Sequence, residues 1–185
     1  MQIPVAEAPG SSAVTVEPAQ SVFRPVEKPF PQPERSSPDG DAGEALPSAA
    51  SLADLVERTP LPTTLSSEME CLAGAIYFEA RSETLAGQLA VGRVIVTRAA
   101  SGRFPSSYCG VVYQPAQFSF MRANGMPAVN HDSNLWQQAV KIALIADSGA
   151  WKSPVEGAMF FHATRVAPSW GKTRMARVDN HIFYR

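Results

Sequence analysis

Apolar residues recur at helical spacing in three blocks of this chain and at strand spacing in two short ones. The first block follows Ser67, a natural N-cap with Glu70 three residues on, and predicts a helix from about Ser67 to Ser82. The second follows Thr84 and predicts a helix over Leu85–Ala100, stopped by Gly102. Leu89, Ala90, Val91, Val94, Ile95 and Val96 make it apolar nearly all round, a buried central helix with Arg93 and Arg98 on a narrow polar edge. The third is capped by Asp132 or Ser133, carries Leu135, Trp136, Ala139, Val140, Ala143 and Leu144, and ends at Gly149. After Pro154 and Gly157, the run 158–163 reads as a strand, and a last short strand is expected over 181–184. Between the helices, 104–134 is irregular, with β-prone pieces at 111–113 and 117–120. Helices first and a small antiparallel sheet afterwards make an α+β layout.

Composition divides the chain. Eleven of the 16 prolines precede Thr63, amid Ser, Ala, Glu and Asp, with no sustained apolar period. Such a segment buries too little surface to offset its ordering entropy, so residues 1–65 are expected to be a disordered Pro/Ala/Ser-rich linker, with a short helical turn near Leu52–Val56. Residues 66–185 are the expected folded domain. Charge divides at the same place: a net of −5 up to Leu65 and +4 after it. A mild positive balance suits an anionic polymer. No dense Lys/Arg cluster with interleaved aromatics occurs, which argues against nucleic acid.

No 18-residue apolar run occurs, so no membrane span is expected in this chain. A Pro-rich spacer ahead of a compact domain is what remains when a signal or anchor stands further upstream. The expected location is therefore the cell envelope, periplasmic or secreted. Cys71 and Cys109 either pair, in an oxidising compartment, or stay reduced with one in the core. A bridge would add about 3–4 kcal/mol in the chain-entropy picture.

Glu79 is the candidate for chemistry. At 100° per residue, Leu72, Ala75 and Ile76 lie within about 60° of it, while Glu70, Tyr77 and Arg81 lie on the other side. A carboxylate on a packing face is partnered or desolvated, and desolvation raises its pKa toward that of a general acid. Glu83, one turn on, lies beside Glu79 rather than across from it, with Cβ atoms about 6 Å apart. Glycosidase pairs straddle the bond at about 5–5.5 Å or 6.5–9.5 Å, so Glu83 is a poor nucleophile and fits substrate orientation or a helix-end pair better. His131, His162 and His181 are far apart and form no HExxH, and no GxSxG elbow is present.

Several ordered motifs carry a resemblance. They are Cys71-Leu-Ala-x-x-Ile-Tyr-Phe-Glu79-Ala-Arg81-Ser-Glu83, Gly87-Gln88-x-Ala90-Val91, Phe104-Pro105, and Cys109-x-Val-Val-Tyr-Gln-x-x-Gln117-Phe118-Ser119. Gly157-Ala158 with His162, Val166-x-Pro168-x-Trp170 and His181-x-Phe183-Tyr184 follow. Together, over about residues 66–185, the chain resembles the bacterial cell wall hydrolases of the SleB/CwlJ spore-cortex type. Thr97-Arg98 stands where that family commonly has Asn-Arg, and Ser82 where Gly is frequent.

The resemblance implies a lysozyme-like α+β fold acting on peptidoglycan glycan strands, without metal or other cofactor, and a monomer. It implies Glu79 as the acid/base of a lytic transglycosylase cutting between N-acetylmuramic acid and N-acetylglucosamine. Glu83, Gln117, Phe118, Ser119, His162, Trp170 and His181 are the expected substrate-binding residues. Three other readings stay open at this point: a muramidase that uses water, a non-catalytic peptidoglycan-binding module, and a zinc amidase built on the histidines.

Overall fold

The computed structural model describes residues 46–123 and 125–185. The expected linker over 1–45 lies outside the described residues. Among the described residues five helices precede three strands: α1 Leu52–Arg58, α2 Ser67–Ala80, α3 Leu85–Ala100, α4 Tyr108–Val112, α5 Asn134–Ser148, then β1 Phe160–Ala163, β2 Arg174–Val178 and β3 His181–Tyr184. The strands form one antiparallel sheet in the order β1-β3-β2.

α2, α3 and α5 pack on one another through fully buried Leu72, Ile76, Leu89, Ile95, Ile142 and Ile145. At Gly92 the helices come so close that a Cβ would stand 2.9 Å from the Ile76 side chain and 3.2 Å from that of Ala146. A smaller cluster, Ala80, Ala90, Val91 and Val94 with Phe183 and Val155, joins the sheet to α2 and α3. Residues 160–163 face 184–181 in register, so Phe161, Ala163, His181 and Phe183 share one face of the sheet. Phe160, His162, Ile182 and Tyr184 share the other.

Several elements depart from expectation. Residues 52–58 belong to the fold: Leu55 is buried in the helical core, and the Lys141 ammonium on α5 donates to the Glu57 carbonyl. The linker therefore does not extend to residue 65. Burying one leucine contributes roughly 2 kcal/mol, and Leu52, Leu55 and Val56 supply the i, i+3, i+4 spacing with Ser51 as cap. α2 is capped by Ser66, whose hydroxyl accepts from the Met69 N–H at 3.3 Å, and not by Ser67. The expected strand at 111–113 is instead the end of α4. The Glu68 carboxylate accepts the Tyr108 and Cys109 N–H groups and Ser107 caps the turn, so tertiary anchoring overrides β-propensity. Residues 117–120 form turns rather than a strand. Strand β2 was not predicted, because Arg174-Met-Ala-Arg-Val178 carries too little apolar alternation.

Cys71 on α2 and Cys109 on α4 are joined, closing a 38-residue separation. Replacing both by alanine should lower unfolding stability by roughly 4 kcal/mol, read as an earlier urea midpoint. An unchanged midpoint would mean that the bridge contributes nothing.

Candidate active site

Glu79 and Glu83 fall at the junction of α2 and α3, where the chain turns between the two helices. Thr84 caps α3: its hydroxyl oxygen accepts from the Gly87 N–H at 3.2 Å. The same residue holds the β2–β3 turn, for Asp179 accepts from the Thr84 N–H at 3.0 Å and from its hydroxyl at 2.6 Å. Asp179 sits at φ 48°, a left-handed turn position that Asp tolerates. A Cβ at Gly87 would collide with the Asp179 carboxylate and stand 2.7 Å from Glu83 Oε2. The hairpin can dock this closely because residue 87 has no side chain.

Docking sets His181 beside both carboxylates. Its Nδ1 is 3.0 Å from Glu83 Oε1, and its Nε2 is 4.0 Å from Glu79 Oε2. The 3.0 Å contact lacks hydrogen-bond alignment, since His181 Nδ1 finds no aligned partner among the described residues. Phe161 presents its edge to the imidazole, ring centroids 5.0 Å apart at 89°. The Glu83 side chain is 2% exposed, that of His181 6% and that of Glu79 17%. Only Glu79 of the three reaches far into the cleft. Burial pushes its carboxyl above the ordinary glutamate range, and the Glu83 charge adds to the rise. His181 and Arg165 oppose it.

The cleft holds about 450 Å³ and is lined by Phe78, Glu79, Ser82, Ser119, Arg165 and Asn180 above Glu83 and His181. Of the expected site residues, Glu79, Glu83, Ser119 and His181 line it. Glu83 and His181 are the more buried members of that lining, and Glu79 is the most exposed of the three. Phe118 is 4% exposed and belongs to the core; the ring available to the cleft is that of Phe78, stacked on Phe120 at 5.0 Å. Gln117, His162 and Trp170 gather in a different cleft beside β1. Both His162 nitrogens are engaged, with the Ala163 carbonyl at 2.9 Å and the Tyr184 hydroxyl at 2.7 Å. Arg98 is not on a polar edge: it is 4% exposed and donates to the Met159 carbonyl at 2.7 Å. The three histidines line three different clefts. Phe78, Arg165 and Asn180 were missed, although Asp179-Asn180 between two short apolar runs is a turn signal that would have located the hairpin.

Two helices and a docked hairpin thus surround one desolvated glutamate. The sequence profile of the Cell Wall Hydrolase family matches residues 82–184, starting three residues past Glu79. The chain belongs to that family. It is 30% identical over 124 residues to the spore cortex-lytic enzyme of Bacillus subtilis (strain 168), covering 64% of this chain and 37% of that protein. With the spore cortex-lytic enzyme of Halalkalibacterium halodurans it shares 31% over 135 residues, 71% of this chain and 39% of that one. The chain thus spans less than half the length of these curated relatives. The catalytic domain of the germination-specific lytic transglycosylase SleB from Bacillus anthracis superposes with a TM-score of 0.56 at 28% identity, over 68% of this chain and 100% of that one. The SleB catalytic domain of Bacillus cereus gives 0.55 at 28%, over 69% and 98%. The fold is therefore that of the SleB catalytic domain, a helical core with a small antiparallel sheet.

An alanine inside a helix normally gains about 1 kcal/mol over glycine. Gly87→Ala should reverse that sign and cost about 1–3 kcal/mol by overpacking against Asp179 and Glu83. Urea unfolding measures it, and a stabilised variant would refute the docking just described.

Proposed function

We propose that this domain, from the start of α1 onward, cleaves peptidoglycan glycan strands between N-acetylmuramic acid and N-acetylglucosamine as a lytic transglycosylase. The observation that carries the reading is a desolvated carboxyl in a polar cleft with no second carboxylate facing it: the only other acid in the lining, Glu83, is the more buried of the two. Glu79 gives its proton to the glycosidic oxygen, so that N-acetylglucosamine leaves with a free 4-hydroxyl. The muramyl 6-hydroxyl then bonds to the anomeric carbon and returns its proton to the Glu79 carboxylate. The product carries a 1,6-anhydro ring, no water is consumed and Glu79 ends protonated as it began. A nucleophilic carboxylate, which a retaining glycosidase requires across the bond, has no place in this scheme.

His181 and Glu83 act as positioning residues. Glu83 stands just before the N-terminus of α3, where the helix dipole favours its charge. Its contact with His181 holds the imidazole against Glu79. Ser119 and Asn180 offer hydrogen-bonding groups to acetamido and hydroxyl substituents, and Phe78 offers a ring edge. Two independent facts support action outside the cytoplasm: the Cys71–Cys109 bridge, which persists in oxidising compartments, and the cortex-lytic relatives.

Glu79→Gln should lower the rate of release from purified sacculi by about 10²–10⁴-fold, with fragments read by mass. Anhydro-muramyl ends from the wild type are the expected product. Reducing ends would make water the acceptor, and wild-type protein that binds sacculi but releases nothing would overturn catalysis altogether.

The pH dependence has a fixed sign. A general acid must be protonated, so activity should fall as pH rises through the raised Glu79 pKa. Stability follows the same group: with the folded pKa above the unfolded one, its contribution is complete at acid pH and is lost as pH rises through the folded value. Glu79→Gln should therefore melt above the wild type at pH 8 and lose that advantage toward pH 4, in scanning calorimetry over ~pH 4–8.

A further inference from the structure

Along the free edge of β1 lies a second cleft of about 370 Å³ that shares no lining residue with the Glu79 cleft. Trp170 stands over it, 42% exposed. Its ring is held by Phe160, His162 and Tyr184, with centroids 6.4, 5.6 and 5.8 Å away. An exposed indole fixed on three sides is a ready platform for the apolar face of a sugar ring.

The polar groups around it are one-sided. Arg98 Nε donates to the Met159 carbonyl and Nη1 donates to Gln117 Oε1 at 3.2 Å. The remaining Nη bonds to none of the described residues, and Arg98, though 4% exposed, contributes to the cleft lining. Because arginine only donates, the Gln117 oxygen must face it, which leaves the amide NH₂ of exposed Gln117 as a donor. Lys172 Nζ lies 3.5 Å above the Phe160 ring. Arg174, opposite Tyr184 on the same face, adds a third cation. No acidic residue lines the cleft. Burial lowers the Arg98 pKa to about 10, so it is still charged at neutral pH.

A neutral N-acetylglucosamine would use the ring and the amide and leave both lining cations idle. A muramyl residue bearing its peptide has the lactyl carboxyl tied up as an amide. A muramyl residue without peptide offers ring, acetamido group and a free carboxylate on the sugar residue itself. Resting on the reading that glycan is the substrate class, we propose that this cleft binds peptide-free muramyl units, sugar on Trp170 and lactyl carboxylate on Arg98 and Lys172, as a second glycan site beside the cleavage cleft.

The test uses ¹⁵N-labelled Glu79→Gln protein, in which turnover is slowed. The Trp170 indole N–H, assigned through Trp170→Phe, and the Ser119 amide report the two clefts separately. The ligands are the N-acetylglucosaminyl-N-acetylmuramic acid disaccharide with a free lactyl carboxylate, the same disaccharide with that carboxyl amidated, and chitobiose. The expected result is a saturable Trp170 shift with the acidic disaccharide and weaker binding of the other two there. Lys172→Gln should weaken acidic-disaccharide binding about threefold to fivefold and leave chitobiose unchanged. Equal binding of all three sugars at Trp170, or no effect of Lys172→Gln, overturns the proposal. A Ser119 response without any at Trp170 overturns the second site alone. Silence at both reporters for every ligand overturns the glycan reading as well.

Discussion

The pair of hydrogen bonds that Asp179 accepts from Thr84 fastens the sheet to the helices at the point where the chemistry is set up. Thr84 is cap and anchor at once: its hydroxyl oxygen ends the open N-terminus of α3 while its hydroxyl proton goes to the hairpin. Neither role leaves room for a side chain at residue 87. Once the turn is docked, His181 two residues later has little choice of position, and its position decides what surrounds Glu79. The environment of the acid thus follows from a helix cap more than 90 residues earlier in the chain than the hairpin it holds.

A buried glutamate–histidine–glutamate row is costly to assemble. Each polar group loses hydration, and Glu83 Oε2 has no hydrogen-bond partner among the described residues. Structure elsewhere offsets this cost: the α2–α3–α5 core, the disulfide from α2 to α4 and the α1 segment clasped on α5. An unsatisfied buried carboxylate oxygen beside a functional acid is the kind of local penalty that proteins retain where chemistry needs it.

Much of this was legible in sequence, and the rest was hidden for definite reasons. α3 and α5 were marked at both ends by a cap and a glycine, because capping is a local interaction. Glu79 stood out because it broke an apolar face. Its partners did not, since Glu83 and His181 are 98 residues apart and meet only when the hairpin docks. The turn of α1 was legible, but its packing into the core was not, because the proline-rich stretch around it has the composition of a linker. Phe118 was misassigned for a related reason: it is buried in the core by loops whose course no local pattern states, whereas Trp170, in its Pro-Ser-Trp-Gly loop, is exposed as the sequence suggested. The family motifs named the acid; the division of the other candidates between two clefts came only from the fold.

The proposed role requires Glu79 to keep its proton at a pH where an ordinary glutamate has lost it. The direct measurement is the ¹³Cδ titration of glutamate-labelled protein, with the Glu79 signal assigned through Glu79→Gln. The account predicts a midpoint above the usual value of about 4.3. A midpoint at or below that value would contradict it, because a carboxyl already ionised in the resting cleft has no proton to give to a glycosidic oxygen.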